Sequence, residues 1–380
     1  MEHLEFRMIN ATSELVAFCD QARENSYLVI DTEFVRTKTY LADLGLVQLK
    51  SGRELALVDP LEFNNLAPLW QLLTEQDMQT VLHAGGEDLE IISTLGSGIP
   101  ANLFDTQIAW QFLHDGEQIG YAGLVKSFVG VELDKSLSRT DWLKRPLSDA
   151  ELQYAAADVH YLDKIWRTLY QQSEDSGLME YILRECAFQA RRRARQTPSE
   201  LAWRDIGPVN MMNGQQRACL RELARFRMDT ARANNIALPF IARDHILAQM
   251  AIDQPTSRNQ LRKIDDLHPQ SLRRYGDDFI AAIERGLAIS ESEYPPALPR
   301  LDNRGSYKRK FREVKAVLKG SAETLGISPP VLGSRKQINE LFIWYWHTDE
   351  ETRQKLPTPD LLSDWRGDLM KEKLEAIVCE

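Results

Sequence analysis

Residues 27–34 read Tyr-Leu-Val-Ile-Asp-Thr-Glu-Phe, an apolar run that ends in two carboxylates, Asp31 and Glu33. On a β-strand, i and i+2 share a face. Two acids side by side at the end of a buried strand repel each other and are costly to desolvate, and a divalent cation relieves both costs. Further acids follow. Asp88 falls in the first turn of a helix expected after the strand 79–84 and the Gly85-Gly86 turn. Tyr154 and Asp158 are i, i+4 on an Ala-rich stretch of strong helix propensity, and so share one helical face. Carboxylates from three elements beside a tyrosine suit a two-metal phosphodiester site. Each part alone has a blander reading. Asp-x-Glu serves as a solvated strand end, Asp88 as an acid favoured by the helix dipole, and Tyr154 with Asp158 as a core tyrosine and a surface acid.

Elements must bring these parts together. Strands are expected at 27–33, 44–50 and 54–59, spaced closely enough for an antiparallel meander. Helix 66–75, strand 79–84 and helix 86–95 then alternate as in a layered α/β domain. Helices near 105–114, 120–129, 148–172 and 176–195 complete it. Thr197-Pro198-Ser199-Glu200 and Gly207-Pro208 punctuate the chain, and the pattern beyond is purely helical: 215–234, 244–251, then short helices to about 287. After a second break at Pro295-Pro296 the long-then-short plan repeats, with 306–326, 334–347, 358–362 and 364–378.

The order Asp31-x-Glu33, Asp88, Tyr154-x3-Asp158 resembles the tyrosine-bearing DEDD exonucleases. The surrounding words, Asp31-Thr-Glu-Phe-Val-Arg36, Leu82-His-Ala-Gly-Gly-Glu-Asp-Leu89, Phe104-Asp-Thr-Gln107 and Tyr154-Ala-Ala-Ala-Asp-Val159, resemble bacterial ribonuclease D along essentially the whole chain. The resemblance implies a ribonuclease H-like α/β exonuclease domain at 1–196. Two all-α HRDC-type domains would follow, at 209–290 and 296–378. The first is similar to HRDC modules through Arg217, Arg225-Phe226-Arg227, Leu238-Pro239, Ile246-Leu247 and Met250-Ala251. The second is divergent and placed mostly by position.

The resemblance further implies a 3′→5′ exoribonuclease that releases 5′-mononucleotides from tRNA precursors and other small structured RNAs with a free 3′ end. Asp31, Glu33, Asp88 and Asp158 would ligate two ions, and all-oxygen ligands favour Mg²⁺ or Mn²⁺. Tyr154 would orient the attacking water. With an ordinary pKa of ~10, a tyrosine is a better orienter than base. The rivals are a DNA 3′→5′ exonuclease and a nucleic-acid-binding scaffold with a dead nuclease domain. Neither a polymerase nor a helicase region is present, and all five site residues are intact.

Composition fits this picture. Of 380 residues, 43% are hydrophobic, enough for two or three cores. No apolar run approaches the ~20 residues of a membrane span, and the acidic start, Met-Glu-His-Leu-Glu, lacks a signal peptide's basic beginning. Four scattered cysteines without a C-x-x-C pair argue against disulfides or zinc. A cytoplasmic monomer is expected. The net charge of −10 is uneven: residues 209–290 hold 12 basic against 9 acidic side chains, and 303–336 hold 9 against 2. Basic modules beside an acidic catalytic domain suit an enzyme that grips phosphates away from its cleavage site.

Several other residues stand nearby. Asp105 before Thr106 reads as a helix N-cap. His83 either approaches substrate or is a satisfied strand-end histidine. Phe34 and Val35 either contact the terminal nucleotide or pack in the core. Ser138-Arg139-Thr140-Asp141-Trp142 sits in a loop that the resemblance brings to the active site, with Arg139 as a substrate contact, against a surface ion pair. Four arginines within 191–195 either complement a helix C-terminus or meet RNA. Arg304, Lys308, Arg309, Lys310, Arg312, Lys315 and Lys319, spread around one helix, favour phosphate contact.

Overall fold

The computed structural model describes residues 3–63, 65–96, 98–134, 137 and 140–379. Its N-terminal part is built on a six-stranded mixed sheet of β1 (Arg7–Ile9), β2 (Tyr27–Val35), β3 (Asp43–Ser51), β4 (Glu54–Val58), β5 (Gln79–Leu82) and β6 (Asn102–Asp105), in the order β1-β4-β3-β2-β5-β6. β2, β3 and β4 form the expected antiparallel meander, while β5 and β6 run parallel to β2 and β1 runs parallel to β4. The short strands β1 and β6 are additions to the expected plan. Around the sheet lie α1 (Thr12–Asn25), α2 (Ala67–Leu73), α3 (Gly86–Gly96), α4 (Thr106–Leu113), α5 (Tyr121–Val129), α6 (Asp149–Asp175) and α7 (Met179–Arg193). The α6 start is fixed by a capping box in which Ser148 and Glu151 satisfy each other's orphan donors.

Next come α8 (Gly214–Asn234), α9 (Leu238–Ile241), α10 (Asp244–Asp253), α11 (Arg258–Leu261) and α12 (Pro269–Leu287). The stretch expected to hold only short helices thus contains one of 19 residues. Leu272, Tyr275, Phe279 and Ile283 put one apolar face of α12 on α8. Gly286 permits the approach: a Cβ there would lie 2.5 Å from Cys219 Cα. This module has its own core, which includes Leu220, Leu223, Leu247 and Phe279.

The final module, α13 (Tyr307–Leu325), α14 (Pro329–Leu332), α15 (Arg335–His347), α16 (Glu350–Lys355) and α17 (Asp364–Cys379), behaves differently. Its core is continuous with that of the sheet domain. Trp365, fully buried, sits between Phe112 and Tyr181 at ring separations of 5.6 and 5.7 Å. Beside it, buried Glu185 of α7 accepts from Trp365 Nε1 at 2.8 Å and pairs with buried Arg366, whose remaining donors reach the Leu332 and Val331 carbonyls. Arg184 and Arg192 of α7 bridge to Asp364, Asp368 and Asp360, and Arg191 pairs with Asp364. Two of the four clustered arginines are therefore spoken for by the C-terminal module. A third, Arg193, lies over Gly86, where a Cβ would meet its guanidinium at 2.7 Å.

Candidate active site

β2 delivers the first two carboxylates. Asp31 is paired across the sheet with Gln48 and Glu33 with Leu46, and a bulge follows Glu33. α6 crosses this face and brings Asp158 beside them: one oxygen each of Asp31, Glu33 and Asp158 lies within 4.8 Å of the others. Asp88, in the first turn of α3, stands behind this trio. One of its oxygens accepts from both the Thr32 amide, at 3.1 Å, and the Thr32 hydroxyl. The residue between the two strand acids thus anchors the fourth carboxylate. Only a resolved fold reveals that role for Thr32.

The electrostatics are those of crowded anions. Burial and the neighbouring Asp88 and Asp158 push the Asp31 carboxyl well above its usual range. Burial with Asp31 and Asp88 raises Glu33 to about 9, and burial with Glu33 raises Asp158 strongly. Asp88 rises less, to about 6, because burial is opposed by the Thr32 donors. Among the described residues no lysine or arginine lines the cleft. Convergent, buried, mutually repelling carboxylate oxygens with no cationic side chain among them fit hard divalent cations, which would replace the missing counter-charge.

The cleft has a volume of about 250 Å³ and is walled by Asp31, Thr32, Glu33, His83, Tyr121, Tyr154 and Asp158, among others. Tyr154 lies one turn before Asp158, its ring 6.1 Å from buried Trp142. Trp142 in turn abuts Gly45 of β3, where a Cβ would fall 2.6 Å from the Trp142 carbonyl. Burial, then Asp158, Glu33 and Asp31, push the Tyr154 phenol above its ordinary value, so it stays protonated. Tyr121 is a second wall residue that sequence motifs did not signal. Its hydroxyl donates to the Ala157 carbonyl at 2.9 Å and to that of Asp158, tying α5 to the catalytic turn of α6. Gln48, opposite Asp31, is fully buried, and neither side-chain atom of its amide has a hydrogen-bond partner.

The other expected residues separate. His83 lines the cleft, its Nδ1 2.9 Å from the Thr106 hydroxyl, and burial lowers its pKa. Asp105 is the N-cap of α4 and also receives the Ala84 and Gly85 amides at 3.0 Å. It thereby holds the turn in which Ala84 adopts φ +56°. Phe34 and Val35, past the bulge, are partly buried against the core and do not line the cleft. Ser138 and Arg139 lie outside the described residues. Lys310 is corrected outright: it is buried, and its Nζ donates to the Ile377 carbonyl at 2.5 Å, so it meets no phosphate. A larger hollow, about 720 Å³, lies between α7 and the C-terminal module, but its Arg191, Arg192, Asp360 and Asp364 already neutralise one another.

Comparison with known proteins places the chain in a family. Residues 6–174 match a family model described as 3′-5′ exonuclease, 216–283 match the HRDC domain, and 305–374 match the ribonuclease D C-terminal HRDC domain. Ribonuclease D of Serratia proteamaculans is 37% identical over 99% of both chains. The chain belongs to the ribonuclease D family of 3′→5′ exoribonucleases. Ribonuclease D of Escherichia coli K12 is likewise 37% identical over 99% of each chain. The crystal structure of Escherichia coli RNase D, described as an exoribonuclease involved in structured RNA processing, superposes with a TM-score of 0.91 over 99% of both chains at 36% identity. The ribonuclease D fold of an exonuclease domain followed by HRDC modules is therefore this chain's fold. Among the described residues no helix is long and apolar enough to cross a membrane.

Proposed function

We propose that this ribonuclease D family member trims RNA 3′ ends to 5′-mononucleotides in the maturation of tRNA precursors and other small structured RNAs, as a cytoplasmic monomer. The observation that carries the catalytic part is the convergence of Asp31, Glu33 and Asp158 within 4.8 Å under Tyr154. Asp31, Glu33 and Asp158, with Asp88 behind them, would hold two divalent ions, Mg²⁺ or Mn²⁺. When bound, such ions lower the pKa of water and stabilise charge on the leaving 3′-oxygen. Tyr154, kept protonated by burial and by its anionic neighbours, orients the attacking water for in-line displacement at the terminal phosphodiester. Thr32 fixes Asp88, and Tyr121 fixes the α6 turn that carries Asp158. His83, neutral, faces the terminal nucleotide from the cleft wall.

The test is hydrolysis of a 5′-labelled tRNA with a short 3′ extension, with Mg²⁺ or Mn²⁺. Wild type gives a descending one-nucleotide ladder that stops near the folded body. EDTA and Asp31→Ala abolish it. Tyr154→Phe loses on the order of 10²-fold or more in turnover but keeps Mn²⁺ binding. Unchanged turnover in Tyr154→Phe sinks its assigned role, and cleavage of single-stranded DNA alone sinks the RNA reading.

A further inference from the structure

From Leu44 to Ser51 the strand β3 is buried. Leu46, Gln48 and Lys50 alternate onto one face of it, opposite Glu33, Asp31 and Val29 of β2. Directly opposite residues of an antiparallel pair share a face, with Cβ atoms about 4.5–5.5 Å apart. Gln48 is therefore placed against Asp31 on the face that α6 crosses. Lys50, the other polar residue of this row, is satisfied: its Nζ donates to the Gly52 carbonyl at 2.5 Å and stands 3.8 Å from Asp163 of α6. Gln48 is not. It is fully buried, and neither its Oε1 nor its Nε2 has a partner. A buried amide without partners carries its full desolvation cost, which an apolar side chain of the same shape would not. Asp31 has the complementary need. Among the described residues no side chain donates to its carboxyl, whereas Asp88 receives both donors of Thr32. A carboxylate that ligates ions has further lone pairs to fill, and a donor behind it fixes its orientation.

We propose that Gln48 is a positioning residue for Asp31: its Nε2 donates to the Asp31 carboxylate when that group holds ions, and so sets which oxygen faces them. The inference rests on the reading of Asp31 as an ion ligand and adds to it the donor that orients the ligand. The reach is short. Glutamine carries its amide two bonds beyond Cβ and aspartate its carboxyl one bond beyond, so rotation about side-chain bonds brings the two together across the pair without moving the strands. That rotation breaks no hydrogen bond, because the amide has none. Ligating side chains are routinely held by such outer partners, whose loss changes metal affinity about 10–100-fold. The amide is thus a burden on the ion-free fold that the ion-loaded site relieves. Its removal therefore acts in opposite directions on stability and on ion binding.

The experiment compares the full chain as wild type, Gln48→Met and Leu46→Met. Methionine keeps the length of glutamine and removes both polar atoms. Leu46→Met changes the next position of the same row, opposite Glu33, and removes no donor. The measurements are the melting temperature in EDTA, the Mn²⁺ dissociation constant read from the paramagnetic resonance of free ion, and the Mn²⁺ concentration that half-saturates trimming of a 3′-extended tRNA, with the KM for that RNA. Gln48→Met is expected to melt at or above wild type in EDTA, because an unpartnered amide is gone. It is expected to bind Mn²⁺ about tenfold more weakly and to need about tenfold more Mn²⁺ for trimming, with KM for RNA unchanged. Leu46→Met is expected to bind Mn²⁺ as wild type does. Wild-type Mn²⁺ affinity in Gln48→Met overturns the proposal. A clear fall of its melting temperature in EDTA does so too, since the amide would then be a bonded part of the ion-free core. Equal weakening in Leu46→Met also overturns it, because packing of the row and not the donor would be the cause. Failure of wild type to bind Mn²⁺ overturns the two-ion reading itself, and is told apart by appearing before any substitution is made.

Discussion

The two helical modules share a plan of long helix, short helices and long helix, yet they are attached in opposite ways. The first closes its own core around α8 and α12 and touches the catalytic domain mainly at the β2–β3 loop. There the Leu41 amide donates to Asn235 at 2.9 Å, the Arg232 guanidinium donates to the Tyr40 hydroxyl at 3.2 Å, and the Ala237 amide reaches the Lys38 carbonyl. The second has no separate core. Trp365, Arg366 and Glu185 are buried between it and α7. A shared helical plan therefore does not imply similar mechanical roles. One closes a core of its own, and the other shares the core of the domain that carries the carboxylates. The first module docks only a few residues beyond Glu33, so a load on it is felt at a loop, whereas a load on the second is felt in the core.

The sharpest way to break this contrast is the buried pair. Arg366→Leu leaves Glu185 an uncompensated buried charge and is expected to cost about 3–5 kcal/mol. In urea denaturation the loss should appear in the transition that reports the sheet domain. Glu185→Leu/Arg366→Met should recover most of it. If Arg366→Leu shifts only a separate helical transition, the fused core is refuted.

A second effect, near 2.7 kcal/mol at ~100 times the dissociation constant, is expected from Mn²⁺. It should raise the melting temperature of the sheet domain with its C-terminal module and leave the first module unmoved. The pH dependence has a definite sign. Folded-state pKa values of the site carboxyls lie above their unfolded values, with Glu33 at about 9 and Asp88 at about 6. The ion-free fold binds more protons than the unfolded chain, so it loses stability as pH rises from the unfolded carboxylate range toward 9. Ions require the deprotonated acids, so the Mn²⁺ shift should grow over the same window. A shift that shrinks with rising pH would contradict the crowded-anion site.

The smallest effect belongs to the first module's junction. Asn235→Gly removes one hydrogen bond to the loop at an exposed seam, worth about 1 kcal/mol or less, and suits the left-handed φ of +49° at this α8 C-cap, where alanine would add strain. It should leave both unfolding midpoints nearly in place while loosening the loop, read as faster amide exchange at Leu41. A large loss of global stability would make the two attachments alike.

The convergence of Asp31, Glu33 and Asp158 is legible because its logic is local. Asp31 and Glu33 advertise a strand face, Tyr154 and Asp158 a helix face, and Asp105 a cap. Thr32 and Tyr121 are not legible, because each acts through residues distant in the chain: Asp88 and the α6 carbonyls. β1 and β6 are three and four residues long, too short to show a period. The expectation of short helices to about 287 misses α12, whose Gly286 admits the backbone of α8. The arginine run looked like one feature and is several. Arg191 and Arg192 pair with Asp364 and Asp360, and Arg193 covers Gly86.

The placement of Trp365 also bears on how the protein is made. Its partner surface, Phe112 and Tyr181, leaves the ribosome long before it does. At ~5–20 residues per second the interval between Phe112 and Trp365 is roughly 10–50 s. During that time the nascent catalytic domain carries an open apolar seam, while the first helical module, complete by Leu287, can already close on itself. The nuclease body becomes whole only once α17 has emerged to cover that seam.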